Sequence, residues 1–226
     1  MRMRKKKHGE ERINACAELR ICNPEDMKSG LNKFFPTEQP IHMEIGCGKG
    51  KFACDMSKKY PDVNFIAVEK VPDVCCIALE KAMAAKESRP ADNLRFLIGD
   101  ARNLTEWFLP HSVDTLYLNF SDPWPKAGHA KRRLTYRAFL EVYFSLLKPD
   151  GVLALKTDNE GLFLFTQEEL SALGYVPHFL TDDLHASEEA ATNIMTEYER
   201  SFSEQGMKIH ALRVTGRSRQ PVTEEK

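Results

Sequence analysis

Three glycines at alternate positions after an apolar segment constrain this chain more than any other feature. Residues 41–45 predict a buried strand, and Gly46, Gly48 and Gly50 follow it. Glycine can adopt a positive φ and has no Cβ, so this spacing allows a tight turn and a close approach of a ligand to the backbone. An ordinary glycine-rich strand-to-helix turn is the alternative. We predict a ligand-binding loop at the carboxyl end of the first strand.

The spacing of the glycines indicates which ligand this loop could bind. A dinucleotide fingerprint would need glycine at Lys51, and a phosphate-binding P-loop would need glycine at Ile45 and a hydroxyl residue at Phe52. The sequence matches neither motif. Glu44 precedes the first glycine by two residues; it would repel a pyrophosphate but would attract the cationic methionine end of S-adenosylmethionine. We therefore expect S-adenosylmethionine as the ligand.

Length and charge favour one α/β domain of ordinary size. The chain has 226 residues, of which 42% are hydrophobic, enough for a sizeable core. The 32 basic and 33 acidic residues give a net charge of −1, which by itself indicates neither a nucleic-acid binder nor an acidic tail. Basic residues are nevertheless clustered, at positions 2–7 and in the acid-free segment 126–137.

Targeting signals and metal-binding motifs are missing from the sequence. No apolar segment follows the basic start, and none approaches the roughly 20 residues that span a bilayer. The six cysteines form no C-x-x-C pair, so we expect no metal site. Free thiols are typical of a reducing compartment. We expect a cytoplasmic protein with no membrane partner, and the sequence leaves open whether it is a monomer or a homodimer.

Apolar segments rich in β-branched residues alternate with amphipathic segments, the pattern of a parallel sheet wound by helices. After a basic N-terminal arm at 1–38, we predict a single Rossmann-like α/β domain at 39–226, with helices on both faces of the sheet. The predicted strands are 41–45, 63–69, 94–98, 113–120, 152–157, 176–180 and 208–214. The predicted helices are 51–59, 74–87, 137–147, 162–173 and 188–202.

Acidic residues stand at four successive strand ends: Glu44, Glu69, Asp100 and Asp122. In open α/β sheets, ligands bind beyond the carboxyl ends of the strands. Glu69 lies about 20 residues beyond the glycines, where a carboxylate can accept both ribose hydroxyls, and Asp100 could accept from the adenine amino group. Each acid taken alone could be a solvated loop residue. Four in register predict a binding site.

The segment 119–126 fixes a reacting group after the fourth strand. Pro123, Trp124 and Pro125 follow Asp122 directly, and prolines restrict the backbone. The segment is similar to the Asn/Asp-Pro-Pro-Tyr motif of methyltransferases that act on planar exocyclic amines, although the doubled proline is missing. A purely structural turn is the alternative.

The chain resembles the bacterial tRNA (guanine-N7)-methyltransferases, which are class I S-adenosylmethionine-dependent enzymes. The resemblance runs from about residue 35 to the C-terminus, and Asp-Pro-Trp-Pro-Lys combined with Thr-x-Tyr-Glu is specific to the family. It implies a last strand antiparallel to the others, and methylation of guanine N7 in the tRNA variable loop. The matching segments are 44–50, 120–126, 129–134, 156–159 and 196–199.

The resemblance also implies roles for individual residues, with Asp122 as the catalytic residue. The implied donor-binding residues are Glu44, Gly46, Gly48, Gly50, Glu69, Asp100 and Asp122. The implied guanine-binding residues are Lys126, Asp158, Thr196, Glu197, Tyr198 and Glu199. The expected RNA-binding residues, in the acid-free segment, are Gly128, His129, Ala130, Lys131, Arg132 and Arg133. Phosphates supply most of the affinity in such sites, although the basic run could instead begin a solvated helix.

The chemistry needs few catalytic groups. Guanine N7 has an in-plane lone pair and no proton to lose, so attack on a sulfonium methyl requires orientation more than a strong base. A carboxylate such as Asp122, Asp158 or Glu199 could bind guanine N1–H and N2–H₂ and stabilise the cation that develops. The alternatives are an exocyclic-amine or small-molecule methyltransferase, and a non-catalytic RNA-binding protein on the same fold.

Overall fold

The computed structural model describes residues 6–219, which form a seven-stranded, mostly parallel sheet with helices. The basic residues Arg2, Arg4 and Lys5 lie outside the described residues. The strands are β1 (Ile41–Ile45), β2 (Asn64–Glu69), β3 (Leu94–Ile98), β4 (Val113–Asn119), β5 (Leu147–Thr157), β6 (Phe179–Thr181) and β7 (His210–Thr215). The helices are α1 (Gly9–Asn14), α2 (Lys51–Lys59), α3 (Pro72–Ala84), α4 (Leu104–Trp107), α5 (Arg137–Leu146), α6 (Glu160–Ala172) and α7 (Glu197–Glu204).

The chain divides into two compact units, Met1–Ser112 and Val113–Lys226. In the first unit β1, β2 and β3 pair in parallel, with β2 in the middle. All six residues of β2 are buried, as expected for the centre of a parallel sheet. Because the three strands run the same way, the loops that follow them leave from one edge of the sheet. This is the edge at which the sequence predicts the donor-binding acids.

The described part of the predicted N-terminal arm is folded onto the first unit. Arg12 of α1 forms two hydrogen bonds with Glu80 of α3, at 2.6 and 2.7 Å. The Ile21 N–H donates to the Phe96 carbonyl of β3 at 2.9 Å, and Leu19 is fully buried. Residues 12–21 therefore pack against α3 and β3, while the predicted boundary between residues 38 and 39 stays a prediction.

In the second unit β5 pairs in parallel with β4 and antiparallel with β7, which in turn pairs antiparallel with β6. The antiparallel last strand that the resemblance implied is therefore confirmed. Strand β5 begins at Leu147, directly after α5, five residues before the predicted start at residue 152. Val113 of β4 pairs with Leu147 and Thr115 pairs with Val152, so the register shifts between these two pairs and β5 has the longer segment there.

The predicted helix at 188–202 is wrong. A short 3-10 turn occupies Glu188–Ala191, and α7 begins only at Glu197. Thr196 is the N-cap: its hydroxyl accepts from the Glu199 N–H, and the Glu199 carboxylate accepts from the Thr196 N–H, a capping box that starts a helix at this point. The Ile194 carbonyl accepts from the Lys156 side chain instead of from a helical N–H. The Lys156 side chain of β5 thus occupies the carbonyl that would accept a backbone hydrogen bond in the predicted helix.

Candidate active site

The glycine loop between β1 and α2 has the geometry that the spacing predicts. Gly46, Gly48 and Gly50 have φ values of 75°, 56° and 72°, in the left-handed region that favours glycine. A Cβ at Gly50, the residue before α2, would lie 2.8 Å from the Ala78 Cβ of α3. A Cβ at Gly48 would meet no atom within 4 Å. Gly50 is thus required for packing, whereas Gly48 leaves space beside the backbone.

Glu69 fixes this loop from the end of β2. Its Oε2 accepts from the Gly48 N–H at 3.0 Å and its Oε1 from the Val71 N–H at 2.8 Å. The residue is 9% exposed. A carboxylate is the kind of group that can accept from a pair of ribose hydroxyls. Its contact with the donor ribose stays a prediction.

Asp100, after β3, is held by two cations. Its carboxylate lies 2.8 Å from Lys70 Nζ and 2.7 Å from Arg102 Nη2, and it also accepts from the Arg102 N–H at 3.0 Å. The Arg102 hydrogen bonds lower the pKa of Asp100 well below its ordinary value, against the opposing effect of partial burial. Asp100 is thus a carboxylate at neutral pH, and an adenine amino group would share an oxygen with these cations.

Glu44 and the neighbouring thiols are buried in the first unit. Glu44 is 6% exposed and lies opposite Ala67 of β2. Burial raises the pKa of the Cys47 thiol well above its ordinary value, and it raises that of Cys54 to about 11 and that of Cys75 to about 12. These three cysteines are neutral thiols at physiological pH, so they are not activated nucleophiles.

In the second unit, the loop after β4 carries Asp122 in an unusual backbone. Phe120 and Trp124 have φ values of 51° and 41°, which non-glycine residues seldom adopt and which cluster at functional sites. Asp122 is exposed between them. The Trp124 ring meets the His129 ring edge-on, with centroids 5.6 Å apart, and the Arg132 guanidinium lies 5.1 Å from the Trp124 centroid. The predicted catalytic residue therefore sits in a shaped loop.

Two arginines of the acid-free segment are engaged with protein groups. Arg133 donates to the carbonyl oxygens of Pro123 and Trp124 at 2.9 and 3.1 Å. Arg137 forms a two-pronged pair with the buried Glu169 of α6, with distances of 3.0 and 2.8 Å. No acidic residue occurs within the segment, but folding brings the Glu169 carboxylate against Arg137. The expected phosphate contact of Arg133 stays a prediction; in the structure its guanidinium is bound to the Asp122 loop.

The remaining residues of the basic segment lie at the surface. Gly128, His129, Ala130, Lys131 and Arg132 belong to the 3-10 turn Ala127–Arg132. Lys126 precedes this turn and is exposed, as are Lys131 and Arg132. We expect these three cations to be available to phosphates.

Glu199 is fully buried, and protein donors occupy its carboxylate. Oε2 accepts from Lys156 Nζ at 2.7 Å and from the Thr196 N–H at 3.3 Å. Oε1 accepts from His185 Nε2 at 2.9 Å and from the Asn193 side-chain amide. Burial opposes ionisation, but Lys156 and the hydrogen bonds outweigh it and lower the pKa of Glu199.

A carboxylate has about four acceptor positions, and all four of these are used. The expected contact between Glu199 and the guanine stays a prediction, and these four donors would compete with it. Glu199 organises the segment that presents its neighbours Glu197 and Tyr198, which are exposed. Lys156 was visible in the sequence only as part of the matching segment 156–159, and its partner lies 43 residues away.

The side chains presented by this segment include an aromatic series. Tyr198 is 62% exposed and stacks on Phe202, with centroids 6.4 Å apart, and Phe202 stacks on Phe120 at 6.1 Å. Asp158 is half-buried at the carboxyl end of β5, directly before Asn159, which caps α6 through the Leu162 N–H at 2.8 Å. The second unit therefore holds Asp122, Asp158 and Tyr198 in fixed local structures.

Within residues 6–219, no helix is long and apolar enough to cross a membrane. The same residues contain no group of three or more His, Cys, Asp or Glu side chains that could hold a metal ion.

Comparisons with known proteins agree with this architecture. A family model described as "Putative methyltransferase" matches residues 38–212. The solved structure of the 16S rRNA methyltransferase KamB has a TM-score of 0.62 at 13% identity, over 83% of this chain and 92% of that one. A SAM-dependent methyltransferase from Aquifex aeolicus has a TM-score of 0.55 at 13% identity, over 92% and 98% of the two chains. At these identities the likeness shows a shared fold.

Two curated relatives are much more similar in sequence. A protein of Brevibacillus brevis named tRNA (guanine-N(7)-)-methyltransferase is 45% identical over 192 residues, which cover 85% of this chain and 88% of the relative. A protein of the same name from Geobacillus sp. (strain WCH70) is 43% identical over 214 residues, or 95% of each chain. With this identity along nearly its whole length, the chain belongs to the tRNA (guanine-N(7)-)-methyltransferase family.

Proposed function

We propose that this protein transfers the methyl group of S-adenosylmethionine to N7 of a guanine in the variable loop of tRNA. The observation that carries the proposal is its 43–45% identity, over 85–95% of its length, to proteins named for this activity. The site residues described above are of the kinds that the reaction requires. We place the activity in the cytoplasm, where unmodified tRNA is available.

The first unit has groups that fit the methyl donor. When bound, S-adenosylmethionine supplies a methyl group made electrophilic by the sulfonium. The open space at Gly48 admits a ligand close to the backbone, and Glu69 holds that backbone from the end of β2. Glu44 supplies a negative charge to a cationic ligand, and Asp100, with its pKa lowered, is ionised. These are the groups that we infer bind the donor, within a methyltransferase domain at 39–226.

The second unit has groups that fit a guanine. Asp122 and Asp158 are carboxylates at the ends of β4 and β5 and can accept from guanine N1–H and N2–H₂. Accepting these bonds orients N7 and stabilises the positive charge that the purine gains. Lys126, Glu197 and Tyr198 are exposed. We propose that they complete the base-binding group, with Thr196 and Glu199 holding the segment in place.

We propose that the tRNA is bound in part through its phosphates. Lys131 and Arg132 are exposed at the end of the 3-10 turn Ala127–Arg132, and we propose that they contact the tRNA backbone, with Gly128, His129 and Ala130 shaping the turn. Such contacts give affinity that falls as salt is raised.

One experiment tests the reaction directly. The purified protein is incubated with unmodified tRNA and isotopically labelled donor, and the RNA is digested to nucleosides. We expect the label in 7-methylguanosine. Label in an N²-methylated guanosine or in methylated adenosine would show exocyclic-amine chemistry and contradict the proposal. Absence of label, with donor binding intact by calorimetry, would favour a non-catalytic RNA-binding role.

A further inference from the structure

We infer that Arg133 is a positioning residue, which clamps the loop that carries Asp122 and leaves phosphate contacts to its two basic neighbours. The importance of that loop rests on the proposed function, but the clamp itself is a property of the second unit. Lys131, Arg132 and Arg133 are consecutive cations, and the sequence does not indicate which of them contacts phosphate. Their contacts in the structure differ.

The first contact of the clamp is with two consecutive carbonyl groups. Arg133 Nε lies 2.9 Å from the Pro123 oxygen, and Nη2 lies 3.1 Å from the Trp124 oxygen. A guanidinium is a planar fork with fixed donor spacing, so both bonds together fix the orientation of the intervening peptide. That peptide follows Asp122 by one residue.

The loop needs to be held because its backbone is strained. Trp124 has a φ of 41°, and a bulky residue keeps such a conformation only when its surroundings enforce it. The flanking Pro123 and Pro125 have no N–H to donate to the rest of the fold. The carbonyls are therefore the main polar groups through which this stretch can be anchored, and Arg133 binds two of them.

The second contact of the clamp is with helix α6. The Arg133 guanidinium lies 4.2 Å from the centroid of the Phe165 ring, within the range of a cation–π interaction. Phe165 belongs to α6, which begins two residues after Asp158. Arg133 thus connects the loop after β4 to the helix after β5, and each of these elements adjoins one of the predicted base-binding carboxylates.

The two neighbouring cations have different surroundings. Arg133 is half-buried, whereas Lys131 and Arg132 are exposed. Arg132 rests on the Trp124 ring at 5.1 Å from its centroid, which leaves its guanidinium edge open to solvent. Arg132 is thus the matched control, with the same side chain at the next position and the same loop beside it.

The test compares Arg133→Ala and Arg133→Lys with Arg132→Ala. We expect Arg133→Ala to lower kcat for tRNA methylation by on the order of 10- to 100-fold, the cost of misplacing a reacting geometry. The dependence of log tRNA affinity on log salt should keep its slope. Arg132→Ala should make that slope shallower by roughly 0.7 to 0.9, the value for one lost phosphate contact. Donor affinity, measured by calorimetry, verifies that each variant is folded.

The lysine variant separates charge from geometry. Lysine keeps the positive charge but replaces the fork with a single ammonium, so Arg133→Lys should remain closer to the alanine variant in kcat than to the unmodified enzyme. If Arg133 were a phosphate contact, lysine would restore both activity and slope. That rescue, or a shallower slope in Arg133→Ala, would overturn the inference.

A spectroscopic measurement tests the clamp without the reaction. The chain has two tryptophans, Trp107 and Trp124, so a Trp107→Phe background reports on Trp124 alone. Releasing the clamp by Arg133→Ala or Arg133→Lys should increase acrylamide quenching of Trp124. If quenching increases in the variants but the unmodified protein does not methylate tRNA, the clamp is supported and the proposed reaction is rejected. Unchanged quenching in both variants would reject the clamp.

Discussion

Lys156 Nζ lies 2.7 Å from Glu199 Oε2; the Glu199 side chain is fully buried and that of Lys156 is 11% exposed. The pair joins β5 to α7 and is completed by His185 and Asn193 on the second carboxylate oxygen. Burying two charges is costly unless each is hydrogen-bonded, and here the network meets that need. Lys156 lies two residues before Asp158, and Glu199 lies one residue after Tyr198. The pair therefore helps to position two predicted guanine-binding residues.

Glu199→Gln should destabilise the protein by about 3–5 kcal/mol, because it leaves the Lys156 ammonium buried without a countercharge. The measurement is the free energy of unfolding by urea denaturation. Glu204→Gln, at an exposed glutamate of the same helix, is the matched control and should change stability by less than about 0.5 kcal/mol. Equal stability of the two variants would show that Lys156 is solvated and that Glu199 is available to a ligand.

Asp100→Asn should flatten the loss of stability in acid. The folded pKa of Asp100 is lowered, so its stabilising contribution is complete above the unfolded pKa of about 3.9 and is lost as pH falls through the lower folded value. Urea denaturation at pH 7, 5, 4 and 3 gives the curve. The exposed Glu188→Gln serves as control. A variant curve parallel to that of the unmodified protein below pH 5 would mean that the Lys70 and Arg102 contacts are not maintained in solution.

Asp122→Asn should keep the fold and lose turnover. The residue is exposed, so the exchange costs little stability, whereas the loss of one charged transition-state contact typically lowers the rate by on the order of 10²- to 10³-fold. Single-turnover tRNA methylation, with donor binding measured in parallel, provides the comparison. Activity within about threefold of the unmodified enzyme would remove Asp122 from the catalytic role.

Glu69→Ala should weaken S-adenosylmethionine binding and leave tRNA affinity nearly unchanged. The variant loses the acceptor predicted for the ribose, and it releases the Gly48 and Val71 N–H groups that shape the loop. Calorimetric titration with each ligand measures both effects. Glu80→Ala, which breaks the partly exposed pair with Arg12, controls for general loosening of the first unit. Weakened tRNA binding with normal donor binding would refute the assignment of Glu69.

Local patterns were sufficient for much of the fold. The predicted bounds of β1, α2 and β3 agree with the structure because each is set by nearby signals: apolar runs, the glycine before α2, and a proline soon after it. Bounds of the other strands and of three helices differ by a few residues. The glycine conformations could likewise be inferred, because a positive φ is a property of the residue and its turn. The helix predicted at 188–202 is wrong in a segment where Lys156 of β5 donates a hydrogen bond to the Ile194 carbonyl.

What the sequence determined by itself is the alternation of strands and helices, the glycine loop and the acids at the strand ends, since these follow from short-range periodicity and spacing. What only the tertiary structure decided is the set of partners that each charged group binds. Arg133 and Arg137 look alike in sequence, yet one binds loop carbonyls and the other binds Glu169, 32 residues away. In the sequence Glu199 resembles a ligand-binding acid, whereas in the structure it is paired with Lys156 of β5. Charges are satisfied by whichever partners folding brings within about 3 Å, and that proximity is not encoded in local pattern.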